Sequence, residues 1–324
     1  MELLKKLSLF CAPSGREESV AEFIKNEIKD YADSVYTDNL GNLIVHKKGA
    51  GKKIMFASHM DEIGIVVTYI DDNGYLRFSD VGGLYTKYLS GRRVVFENGI
   101  EGVIYTEPKN DKNSLLKMYI DIGAKTREDA EKSVNVGDMA VFCGNFNEQN
   151  GVILGKALDN RAGCFALIEA IKRIKSENDL YFVFTVQEEV GLRGARTAAY
   201  RVNPDIAISV DVTDTGDTPK SDSVAVKLGK GAGIKVMDYS VICDRDVKMS
   251  LIEIAKSKNI PYQLEVMTEG GTDAGVMHFA RGGVKTGGIS IPTRYIHSPS
   301  EMIEKSDLDA VIKLICAFAE EILH

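Results

Sequence analysis

Between residues 63 and 153 the sequence carries a run of short strand signals with almost no helix. IGIVVTYI, YLRFSDV, RRVVFE, EGVIYT, KMYIDI and MAVFCGNF follow one another at short intervals. Asp72-Asn73-Gly74, Glu97-Asn98-Gly99 and Asn135-Val136-Gly137-Asp138 punctuate them as turns. Only residues 126–132 read as a helical piece. Strands this closely spaced predict a small barrel or sandwich. On either side the texture differs. After Gly155, helical patterns at 160–176, 195–202, 247–259, 273–282 and 306–323 alternate with apolar strands at 181–186, 205–213, 262–267 and 285–291. That alternation predicts a mostly parallel sheet with helices on both faces. Before residue 63, Leu3, Leu4, Leu7 and Phe10 are spaced as one face of a helix. Ser14 and Glu17 read as a capping box for a second helix. A hairpin follows over 35–49, turning at Asn39 to Asn42, and then a strand over 54–57. The expected fold class is α/β, a mostly parallel sheet with helices on both faces and an inserted small β-barrel. Residues 1–62 and 150–324 would form the main domain and residues 63–149 the insert.

The net charge of -7 is spread along the chain and supplies no basic face, which argues against nucleic acid or an anionic membrane as a partner. The five cysteines are scattered and form no CxxC pair, as expected of reduced thiols in a cytoplasmic protein. Lys5 and Lys6 interrupt the apolar residues of the N-terminal segment, so it reads as an amphipathic helix rather than a leader. No run of about 18 apolar residues predicts a membrane span.

In open α/β sheets, ligands bind beyond the carboxyl ends of the strands. The polar residues that follow the apolar strands therefore matter. His59 and Asp61 come after IMFAS, and Asp159 follows VILGKAL. Glu188 and Glu189 follow YFVFTVQ, Asp211 lies within IAISVDV, and His297 comes after RYI. Taken singly, each histidine reads as a hydrogen-bonded loop or core residue, and Asp159 as a helix cap. Asp211 resists a bland reading, because a carboxylate between Val210 and Val212 is costly to bury unless it is paired or bound to metal. Several carboxylates gathered at one place repel one another unless cations neutralise them. Mixed carboxylate and imidazole donors suit Zn²⁺, Co²⁺ or Mn²⁺ better than Ca²⁺ or Mg²⁺. Asp159, Asp211 and one of the two glutamates would balance two divalent ions and a hydroxide. The other glutamate would be left to move protons, which is the layout of metal-assisted hydrolysis.

Together these residues resemble the TET-type dinuclear metallo-aminopeptidases, some members of which carry an endoglucanase label. The matching blocks are SGRE (14–17), DNLGNLI (38–44), SHMDEIG (58–64), KALDNRAG (156–163), QEEVGLRGA (187–195), VDVT (210–213), GGTDAG (270–275) and RYIHSPSE (294–301). Eight blocks in this order span essentially the whole chain. The resemblance implies that Asp159 bridges two divalent metal ions, Zn²⁺ or Co²⁺ with Mn²⁺ as a third candidate. It gives Glu189 and His297 to one ion, and His59 and Asp211 to the other. It implies a catalytic base and acid in Glu188, and an Asp61 that holds the His59 ring. It also implies short peptide substrates, and a barrel insert that drives dimerisation within a cytoplasmic, tetrahedral homododecamer. The LGKGAGIKV loop (228–236) maps onto no substrate role. Acidic, basic and apolar N-terminal residues are equally open as substrates.

Two other classes compete. A glycoside hydrolase needs two carboxylates flanking a sugar and no metal, and usually aromatic platforms; this chain has no tryptophan. A non-catalytic metal-binding protein would not need the spare glutamate.

Overall fold

The computed structural model describes residues 1–108, 114–221 and 224–321. The N-terminal part holds α1 (Glu2–Leu9), α2 (Glu18–Ile28), β1 (Ser34–Thr37), β2 (Leu43–Lys47) and β3 (Lys53–His59). The insert holds β4 (Gly64–Ile70), β5 (Leu76–Val81), β6 (Arg93–Phe96), β7 (Glu101–Thr106), β8 (Met118–Asp121), α3 (Arg127–Ala130) and β9 (Met139–Phe142). Next come β10 (Asn147–Gln149), β11 (Val152–Gly155), α4 (Leu158–Arg173), β12 (Asp179–Thr185), α5 (Arg193–Val202) and β13 (Ile206–Asp214). The chain continues through β14 (Ala232–Met237), α6 (Arg245–Ser257), β15 (Tyr262–Val266), α7 (Ala274–Met277), β16 (Lys285–Arg294), β17 (Glu301–Glu304) and α8 (Lys305–Glu320).

The large sheet runs β1-β2-β12-β3-β13-β16-β17-β11-β10, with β14 and β15 attached beside β16. Its centre, β12-β3-β13-β16, is parallel, and antiparallel strands extend it on both sides. A large core packs α1, α2, α4, α6 and α8 on one face through Phe56, Phe182, Ile208 and Phe318. On the other face Ala195, Ala198, Ala199 and Met277 of α5 and α7 cover Ala57, Val183 and Ala207. The central strands are buried on both sides, which is why they read as continuous apolar runs. The six insert strands close into an antiparallel barrel, β4-β5-β8-β7-β6-β9, around its own core of Ile65, Phe78, Val94, Ile104, Ile120 and Phe142.

Three local expectations are corrected. Ser14 and Glu17 do not form a capping box: the helix starts at Glu18 without a side-chain cap. Ser14 Oγ donates to Asp61 Oδ2 at 2.6 Å, and Glu17 Oε1 accepts from the Gly15 and Gln187 amides. Residues 232–236 of the expected loop belong to strand β14, which bonds to β15 and β16. The helix expected over 273–282 is the single turn α7.

Candidate active site

Parallel strands that lie side by side bring distant residues level. Thr185 of β12 pairs with His59 of β3, so the Glu188–Glu189 segment leaves the sheet beside that histidine. Ser209 of β13 pairs with Ala57 of β3, which brings Asp211, two residues on, level with His59. β16 lies on the far side of β13 and leads into the loop that carries His297.

Asp159 enters from the start of α4. Its backbone is not helical, and its carboxylate does not cap the helix. Asn160 does that instead: its Oδ1 accepts the Gly163 N–H, and its amide group donates to Ser58 Oγ and the Val210 carbonyl. Asp159 is thereby left to face the sheet ends.

The structure brings all seven sequence-predicted residues together. The Asp159 carboxylate lies between the two imidazoles. Its Oδ1 is 3.0 Å from His59 Nε2, and its Oδ2 is 3.4 Å from His297 Nε2. His59 Nε2 is also 3.6 Å from Asp211 Oδ1 and 3.9 Å from Glu188 Oε2. His297 Nε2 is 3.2 Å from Glu189 Oε2. His59 Nδ1 lies 3.1 Å from the main-chain oxygen of Asp61 and 3.4 Å from its Oδ1. The Asp61 carboxylate also accepts the amides of Glu188 and Glu189, at 3.0 and 3.1 Å.

Sequence reasoning gave no part to four further groups. Glu301 Oε2 accepts the Asp159 N–H and its Oε1 the His297 N–H. Ser14 and Glu17 brace Asp61 and Gln187 from the N-terminal segment. Asp273 is buried beside the site and accepts from Thr185 Oγ1 at 2.6 Å. Glycines of the barrel complete the wall. A Cβ on Gly82 would stand 3.1 Å from Glu189 Cβ, and one on Gly83 2.9 Å from His297 Nδ1. For Ser14, Glu17, Asp273 and Glu301 the only sequence signal was membership of the same motif blocks, as with Glu301 at the end of RYIHSPSE, whereas Gly82 and Gly83 lie outside every block.

The electrostatics are one-sided. Among the described residues no lysine or arginine forms a salt bridge with Asp159, Glu188, Glu189 or Asp211; the cationic partners within that distance are the two imidazoles. Burial, reinforced by Asp211, Glu189 and Asp273, pushes Glu188 well above the usual carboxylate range against the pull of His59. Burial pulls His297 down, but Glu189 and Asp159 outweigh it and raise the imidazole to about 12. Burial would likewise raise Asp61, yet His59, Ser14 and the Glu188 amide hold it below its ordinary value. A set of buried anions that pulls protons onto its imidazoles fits divalent cations by donor type and by charge. Ligand atoms of His59, Asp159 and Glu189 all fall within 4.8 Å of one another.

The comparisons with known proteins agree with this chemistry. Residues 41–314 match the family model described as M42 glutamyl aminopeptidase. A protein of Acetivibrio thermocellus with a provisional aminopeptidase name is 55% identical over 97% of this chain and 96% of its own. The lysyl aminopeptidase of Pyrococcus furiosus is 36% identical, over 99% of this chain and 97% of its own. The Pyrococcus horikoshii TET1 peptidase superposes with a TM-score of 0.90 at 40% identity, covering 99% of both chains; it is described as assembling into a tetrahedron or a large octahedral shell. A Thermotoga maritima structure described as an endoglucanase also superposes, with a TM-score of 0.85 at 36% identity over 98% of this chain and 96% of its own, but the family model and the aminopeptidase relatives do not support a glycoside hydrolase. The chain belongs to the M42 glutamyl aminopeptidase family, and its activity is hydrolysis of peptide bonds with divalent metal.

Proposed function

We propose that this chain removes N-terminal residues from short peptides with two divalent cations, Zn²⁺ or Co²⁺ with Mn²⁺ as a third candidate. Asp159 would be shared between them. Glu189 and His297 would complete one set of donors, and His59 and Asp211 the other. The observation that carries this reading is the Asp159 carboxylate, faced by a different imidazole on each oxygen. Bound there, the cations supply Lewis acidity toward the scissile carbonyl and lower the pKa of the attacking water. Glu188 is the proton carrier: its carboxylate takes the proton of the attacking water and delivers it to the leaving amine nitrogen. Its position supports this role: Glu188 Oε2 lies 3.9 Å from His59 Nε2, beside the proposed donors. Asp61 orients His59 and, through the two amides it accepts, the Glu188–Glu189 segment.

The decisive experiment strips the protein of metal and assays aminoacyl chromogenic substrates with Zn²⁺, Co²⁺ or Mn²⁺ restored singly. Activity should return with metal and require a free α-amine. Cleavage confined to N-acylated peptides, or none with any ion, would remove the proposal.

We place the protein in the cytoplasm as a homo-oligomer, a tetrahedral dodecamer built from dimers joined through the barrel insert of residues 63–149. The support is the relatives' assemblies and a barrel surface that exposes Tyr75, Val103, Tyr105, Leu116 and Val136. No helix among the described residues is long and apolar enough to cross a membrane. Native mass spectrometry should give twelve subunits, and a monomer at micromolar concentration would contradict the assembly.

A further inference from the structure

We infer that Glu301 is a positioning residue that fixes Asp159 and His297 against each other by holding both main chains at once. This rests on the reading of those two residues as metal donors. Glu301 opens β17 and is 2% exposed. Its Oε2 accepts the Asp159 N–H and its Oε1 the His297 N–H, each at 3.0 Å. The two amides therefore hang from one rigid planar group.

Neither amide belongs to a regular element. Asp159 has ψ 105° inside the irregular start of α4. His297 has φ +60° and Tyr295, two residues before it, φ +61°, in the left-handed region that non-glycine residues seldom occupy. Backbone preference alone therefore does not select the conformation of the His297 loop. Glu301, four residues on, closes that loop through the His297 N–H, and its other oxygen supplies the long-range bond that ties the loop to Asp159. No described lysine or arginine is paired with Glu301, so its carboxylate serves the two amides and not an ion pair. The two residues clamped in this way also meet through their side chains, with His297 Nε2 3.4 Å from Asp159 Oδ2.

The test uses the full chain, stripped of metal and titrated with Zn²⁺ by calorimetry. Glu301→Asp keeps the charge but is one methylene too short to span both amides. Glu301→Gln keeps the length but offers one acceptor oxygen. Wild type should take two Zn²⁺ per subunit. Both variants should keep one and bind the second about 10- to 100-fold more weakly, the range seen when groups that hold metal ligands are removed. The Co²⁺ absorption spectrum of each variant at saturation should change band shape, because the His297 donor is displaced. Variants that match wild type in both readouts would overturn the inference. So would a wild-type Glu301→Asp beside a weakened Glu301→Gln, since charge alone would then explain the effect. If Glu301→Gln does not fold, Glu301→Asp decides alone by the same readouts. Wild type that binds no Zn²⁺ would overturn the metal reading and this inference together, whereas a His297→Ala variant that loses one ion beside unaffected Glu301 variants would overturn only the clamp.

Discussion

Glu189 Oε2 lies 3.2 Å from His297 Nε2, whereas Glu188 Oε2 is 3.9 Å from His59 Nε2, and both amides end on Asp61. Adjacent carboxylates with different neighbours can divide labour. Glu188→Gln keeps the shape and removes the proton carrier, so kcat should fall by about 10²–10⁴-fold with the zinc content unchanged. Steady-state kinetics paired with metal analysis checks both halves, and near-wild-type turnover would show that Glu188 is not the base. The pair was legible in the sequence as acids at a buried strand end, but strand alternation could not order the two. Ser14 and Glu17 show the reverse error. They look like a local cap because a local pattern cannot see Asp61, which the fold brings to 2.6 Å from Ser14. Glu17 leaves a measurable trace of its true place. Burial, then the charge of Asp61, raises its carboxyl to about 7. An acid whose folded pKa exceeds its unfolded value stabilises fully below the unfolded pKa, and that contribution is lost as pH rises through the folded one. In metal-stripped protein the loss should run from about pH 4.5 to 7 and reach at most ~3 kcal/mol. Glu17→Gln keeps the acceptor, because Oε1 takes both amides. Urea unfolding across this range should find the variant level with wild type near pH 4 and more stable at pH 8. Parallel pH curves would sink the assignment.

Strand and helix periodicity made most elements readable, including all six barrel strands, because each buries an apolar face of its own. β14 was missed for a physical reason. Its Lys235 is buried and salt-bridged to Glu265, its partner in register on β15. A buried lysine looks like loop until the distant partner strand is known. The Lys156–Glu62–Arg161 cluster is a second such case. It joins the loop after β3, the approach to α4 and the N-terminal segment. Lys156 Nζ donates to Glu62 Oε1 at 2.7 Å and to the Phe10 carbonyl at 2.8 Å. Arg161 donates to the carbonyls of Met60 and Leu7, at 2.6 Å each. All three side chains are at most 5% exposed. Removing one partner from a buried ion pair leaves a charge uncompensated, at a cost of about 3–5 kcal/mol. Glu62→Gln should lower stability by that amount in equilibrium denaturation. A change below about 1 kcal/mol would mean that water or neighbouring carbonyls already satisfy both cations.

At the scale of the whole molecule, the barrel and the sheet meet at the site. The loop after β5 carries Gly82, Gly83 and Tyr85, whose ring centroid is 6.3 Å from that of His297. Gly82 has φ +83° and lies against Ile63 and Glu189, so the turn needs a residue without Cβ both conformationally and sterically. The sequence announced an inserted barrel, but not that it forms a wall of the site, because nothing in Gly82-Gly83 names the side chains they approach. Gly83 makes this contact testable. An added methyl would stand 2.9 Å from His297 Nδ1 and 3.0 Å from Cε1, so either the barrel loop or the imidazole must shift. The ring has little freedom, since Nε2 lies 3.2 Å from Glu189 and 3.4 Å from Asp159. Gly83→Ala should therefore weaken Zn²⁺ binding and lower kcat/KM, each by about tenfold or more. Gly282→Ala is the control, because a Cβ there meets nothing within 4 Å. Zinc affinity that is equal in wild type, Gly83→Ala and Gly282→Ala would show that the barrel only lies near His297 and does not hold it.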